Sequence, residues 1–193
     1  MYVYLASAGV AIAGNQITIT FDDLPMLGEL PVPNGYNGFQ WSNFYVIDPQ
    51  LYPSPSGGQN GTISPPNVAF NGLGNPANFS SSGAFDLDSA YLTAVWNDGL
   101  QLEVQGFVGA TLTYDNNYTV NTTGPLLVNF NFLGVDKINF ISSGGTHHIG
   151  YSDGSGTQFA MDNLTVTVPE PSSLAFVSVG LAVPFYFIRR RKN

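Results

Sequence analysis

FDLDSAYLTAVW (residues 85–96), NDG (97–99) and LQLEVQGF (100–107) form the stretch whose reading decides the fold. Phe85 and Leu87 alternate with Asp86 and Asp88. Leu100, Leu102 and Val104 alternate with Gln101, Glu103 and Gln105. A period of two belongs to a β-strand with one dry and one wet face. An Asp-Gly pair between two such runs predicts a hairpin closed at Asn97-Asp98-Gly99.

Outward from this hairpin the same period recurs. Residues 17–21 alternate as a first strand, ended by Asp22-Asp23-Leu24-Pro25. Residues 110–118, 126–132, 137–142 and 158–168 read as later strands, with Phe159, Met161, Leu164 and Val166 placed to face a core. Residues 25–83 are rich in Pro, Gly, Asn and Ser, which predicts long loops with short edge strands. Helical periodicity appears only in the C-terminal tail. The expected architecture is all-β: an antiparallel β-sandwich or jelly roll over residues 14–167, plus a single C-terminal transmembrane helix.

Composition narrows the function. Without cysteine the chain has no disulfide framework, thiol nucleophile or thiolate metal site. All thirteen acidic residues lie between Asp22 and Glu170, with Lys137 the one basic residue among them. That span therefore carries −12, against −8 for the whole chain. Such a surface repels nucleic-acid phosphates and anionic lipid, and attracts cations.

The two ends read as addresses. Residues 1–13 are apolar and small, ending Ala11-Ile12-Ala13, as a secretory leader does; no Lys or Arg precedes them, so the leader is expected to be truncated. At the other end, residues 168–193 contain Pro169-Glu170-Pro171, an apolar run from Leu174 to Ile188, and Arg189, Arg190, Arg191 and Lys192. The run with Ser172 and Ser173 makes a helix of about 25 Å, near the lower limit for a hydrocarbon core of about 30 Å. The basic cluster belongs on the cytoplasmic side, leaving the upstream domain outside. Pro-Glu-Pro, a short apolar helix and an Arg cluster, in that order, resemble a PEP-CTERM sorting signal. The resemblance implies recognition and processing by exosortase, a membrane-embedded transpeptidase. It also implies residence at the cytoplasmic membrane before processing, and a Gram-negative host that makes exopolysaccharide.

The domain also resembles secreted, carbohydrate-binding-like jelly rolls, through ITFDDL (19–24), GFQWSNF (38–44), residues 85–96 and FAMDNLTV (159–166). In such folds the terminal strands are neighbours whose acidic residues hold a structural calcium. Calcium takes six to eight oxygen ligands, and Asp22, Asp23, Asp162 and Asn163 supply oxygens if the end strands pair. The alternative is that Asp23 and Asn163 end their strands through local hydrogen bonds. Trp41 and Trp96 are either core residues or a stacking platform for sugars. His147 and His148 lie in a glycine-flanked loop, where adjacent positions point to opposite sides; they are expected to be exposed, to contact a sugar or to meet Asp153. Asp86 and Asp88 share a strand face and, with Asp98, are the carboxylates a polysaccharide hydrolase would use.

The expectation is an exported surface or matrix protein, structural or carbohydrate-adhesive and non-catalytic, with exopolysaccharide as its partner. The competing reading is a hydrolase acting on polysaccharide.

Overall fold

The structure, a computed structural model, describes residues 14–25 and 28–169. The leader, Glu170, Pro171, the apolar run and the Arg cluster lie outside the described residues. Among those described, no helix is long and apolar enough to cross a membrane. Gln16–Val168 is one compact unit.

The strands, in chain order, are β1 (Gly14–Ile19), β2 (Leu30–Pro31), β3 (Gln40–Ser42), β4 (Phe44–Ile47), β5 (Val68–Asn71), β6 (Ala77–Ala94), β7 (Asn97–Asp98), β8 (Leu100–Val108), β9 (Thr111–Val120), β10 (Leu126–Ser143), β11 (Thr146–His147) and β12 (Phe159–Pro169). One sheet runs β2-β4-β5-β12-β6-β10-β8-β9, with β1 joining at β12 and β3 at β6. β7 and β11 form a separate ribbon.

The two 18-residue strands, β6 and β10, turn this sheet into a sandwich. Phe79 and Phe85 are six positions apart on β6, which would separate them by about 20 Å on a straight strand. Their rings lie 5.6 Å apart. Phe130 and Phe140 of β10, ten positions apart, have rings at 6.3 Å. Both strands therefore fold over the core. The β10–β6 register slips between Asn129 and Lys137, and there Asn131 (φ 54°) and Gly134 (φ 66°) adopt left-handed backbone. Each slip inserts unpaired residues into one strand, which bends it. Past the bend, β10 pairs Asn139 with Asn78 on one side and with Gln105 on the other. Before it, β10 pairs Val128 with Ala90, and β6 carries β12 on its far side.

The predicted hairpin at residues 97–99 does not form. β10 lies between β6 and β8, so the Asp-Gly turn carries the chain from one layer to the other. Gly145 (φ 76°) packs against this arch: a Cβ there would sit 2.8 Å from Asn97 Cβ and 3.0 Å from the Asp98 carbonyl. The second difference is at residues 77–84, read as loop yet part of β6. Their Ser and Gly content is polar, but β3 and β10 flank residues 77–80 and supply the ladder there, while residues 81–84 bulge out of it.

Between the layers lies an aromatic core. Phe44, Phe79, Phe130 and Phe159 all place rings within 6.3 Å of Phe140. Edge-to-face and offset pairs of this kind add to area burial. Phe140→Ala should cost about 3–5 kcal/mol of unfolding free energy, read by urea denaturation. A loss within experimental error of zero would contradict this placement.

Candidate functional site

Strand alternation creates a second apolar surface outside the core. Val46, Ala69 and Met161 point inward, so Ile47, Val68, Phe70 and Ala160 point outward from β4, β5 and β12. Register sets them side by side, Ile47 opposite Val68 and Phe70 opposite Ala160. The loops 48–58 and 151–158 rise around this floor and enclose a cleft of about 380 Å³, walled by Tyr52, Pro53, Trp96, Glu29, Asp153 and Gln158.

The walls are tied down by side chains. Gln59 donates from Nε2 to the carbonyls of Pro49 (3.2 Å) and Tyr52 (2.9 Å). Ser54 donates to Asp153 across the two loops, and Ser152 donates to the other Asp153 oxygen at 3.0 Å. These hydroxyls hold the Asp153 carboxyl below its ordinary pKa. Trp96 is half-buried at the end of β6. A Cβ at Gly154 would fall 2.2 Å from its ring, so only glycine lets this loop lie against the indole. Gln158, at the foot of the wall, has a buried Oε1 with no hydrogen-bond partner.

Behind the wall, β7 and β11 anchor the loop. His148 Nδ1 donates to Asp98 Oδ2 at 2.6 Å, and its ring packs on Tyr151 at 4.4 Å. Thr122 donates to Asp98 Oδ1 from its backbone N–H (3.0 Å) and its hydroxyl (2.7 Å). The Thr122 backbone hydrogen bond first, then His148 and the Thr122 hydroxyl, pull the Asp98 pKa down to about 2. A depressed carboxyl stabilises the fold above its unfolded value of 3.8 and loses that contribution as pH falls toward 2. Asp98→Asn should therefore flatten the decline in stability between those two values, measured by acid titration of the urea midpoint. An unchanged acid limb would contradict it.

The residues singled out in the sequence separate widely. Trp41 is a core residue, 6% exposed, donating from Nε1 to the Tyr36 carbonyl at 3.0 Å and packed edge-on to Phe44. It is therefore no stacking platform. Trp96 lines the cleft. His147 donates to the Tyr151 carbonyl (2.6 Å), and neither histidine lines the cleft or meets Asp153. Asp86 accepts from Gly134 N–H toward β10, whereas Asp88 accepts from Thr167 toward β12. They share a face but reach in opposite directions, and neither lines the cleft.

The four residues expected to hold calcium are each engaged by donors of the protein itself. β1 does pair with β12. Asp162, however, is fully buried and surrounded by donors: the N–H groups of Ile63 (2.7 Å), Ser64 (2.9 Å) and Asn163 (2.7 Å). Asp22 accepts from Asn67 N–H and Asp23 from the Tyr36 hydroxyl. Asn163 sits at the β12 bulge with φ 50°, its side-chain oxygen taken by Ser64. In this arrangement the Asp162 carboxylate is held by backbone N–H donors of the protein itself. Among the described residues no three His, Asp or Glu converge. The melting temperature should accordingly be indifferent to millimolar calcium and to chelator; a calcium-dependent rise would contradict this reading of Asp162.

Architecture and cleft together define an antiparallel β-sandwich with a walled aromatic pocket on one outer face. Residues 167–192 match the PEP-CTERM protein-sorting motif, which implies an exported protein recognised by exosortase and held at the membrane before processing. No curated protein sequence matches the chain. Similar solved structures include TmCBM61 in complex with beta-1,4-galactotriose (7% identity, 72% of this chain and 95% of that one, TM-score 0.37). Another is arabinose-bound MgGH51 α-L-arabinofuranosidase (15% identity, 77% of this chain and 27% of that one, TM-score 0.35). At these identities and TM-scores the likeness says nothing of what this chain binds.

Proposed function

We propose that this is an exported surface or matrix protein whose sandwich binds carbohydrate in the Trp96 cleft without transforming it. The observation that carries the reading is the lining of that cleft. An indole, a half-exposed tyrosine and the edge of Phe70 offer apolar faces to the C–H face of a sugar ring. Asp153 and Glu29 offer acceptors for its hydroxyls. Small-ligand sites are concave and largely apolar, with a few convergent polar groups, and span roughly 300–1,000 Å³. At the low end of that range the cleft takes a short glycan segment rather than a long chain. The sorting motif supplies the setting, a cell envelope or matrix in which polysaccharide is the abundant neighbour.

Glycan-array binding by the full chain in mild detergent tests this. Trp96→Ala should weaken binding by roughly tenfold or more, since stacking on an aromatic ring contributes about 1–3 kcal/mol in comparable base–aromatic contacts. Tyr52→Ala, at a more exposed wall, is the companion variant that leaves the fold intact. Unchanged affinity in both variants would overturn the assignment of the cleft. Release of new reducing ends would replace adhesion by hydrolysis.

A further inference from the structure

Resting on the carbohydrate reading, the charges around the cleft restrict which glycans it takes. We infer that the cleft is a charge filter, accepting glycan segments that carry no acid groups and rejecting uronate-bearing ones. Two carboxylates, Glu29 and Asp153, line it, and among the described residues no Lys, Arg or His does. Asp153 is kept ionised by the hydroxyls of Ser54 and Ser152. The one Lys or Arg among the described residues, Lys137, lies on β10 past the bend, with Nζ 5.8 Å from the Phe107 ring centroid, in the opposite layer. A glycan carboxylate entering the cleft would thus meet two like charges with no counter-charge, on a domain already strongly negative. Recognition of carboxylates relies on Arg or Lys donors, and none is placed to serve here.

A neutral sugar meets no such opposition. Its hydroxyls donate to the Glu29 and Asp153 carboxylates. An amine-bearing sugar gains further, through charge-assisted hydrogen bonds to Glu29 or Asp153 and attraction to the Trp96 face. The cleft is therefore selective by sign of charge: amine-bearing and neutral segments over acidic ones.

The experiment uses the full chain with matched oligosaccharides of glucose, mannose and galactose, each as the neutral form and as its uronate. Glucosamine oligomers are added, and chelator is present throughout so that no metal bridges two carboxylates. Neutral and amine-bearing members should bind tighter than their uronates by roughly tenfold or more, the gap narrowing between about 20 mM and about 0.5 M salt as screening shortens. Glu29→Gln combined with Asp153→Asn should close most of the gap by admitting uronates, with Glu29→Gln alone as the variant that spares the Ser54 contact. Uronates binding as tightly as neutral forms, with the binding lost in Trp96→Ala, would overturn the filter while leaving the carbohydrate reading standing. A gap indifferent to both salt and the double variant would also overturn the filter. Binding by no member would overturn the filter and the carbohydrate reading together.

Discussion

The bend in β6 and β10 is the constraint on which the rest of the structure depends. A strand of 18 residues would run far past the width of a small sandwich. The bulges at Asn131 and Gly134 let β10 turn where it would otherwise overshoot, and β6 turns at its own bulge, the unpaired residues 81–84. One pair of strands thereby serves both layers, and the core forms where Phe79 meets Phe85 and Phe130 meets Phe140. Glycine and asparagine adopt left-handed backbone at low cost, which is why the bend falls on these two residues.

The cleft follows from this arrangement. With the inward faces of β4, β5 and β12 committed to the core, their outward faces carry a second apolar strip, on which Val68 and Ala160 are buried and Ile47 and Phe70 half-buried. Asp98 links the arch at residues 97–99 to His148 and Thr122, so the junction between layers also fixes the loop that walls the cleft. Core, arch and site are one chain of contacts.

Much of this was legible in the sequence, and the failures have local causes. Period-two alternation marked the all-β class, and Pro169-Glu170-Pro171 with the basic cluster marked the sorting motif now matched over residues 167–192. The Asp98-Gly99 turn misled because turn chemistry is local, whereas the strand that separates β6 from β8, β10, begins only at Leu126. Residues 77–80 looked like loop because polar residues form a strand only when neighbours supply the ladder, here β3 and β10. Trp41 and Trp96 were indistinguishable because both stand near turns; only the aromatic neighbours from β4 and β6 bury the first. Asp162 looked like a cation ligand because composition does not reveal that backbone N–H groups from residues 63 and 64 would reach it. Gly154, which admits the wall against Trp96, carried no signal beyond a loop-forming glycine.

The chain has two tryptophans, one in the core and one in the cleft, and this makes the central claim directly measurable. Their indole N–H resonances, assigned with Trp96→Phe, can be followed while a neutral oligosaccharide is titrated into the protein. The account predicts that the Trp96 signal shifts with saturation and the Trp41 signal stays in place. A shift confined to Trp41, or saturable binding that moves neither signal, would contradict it.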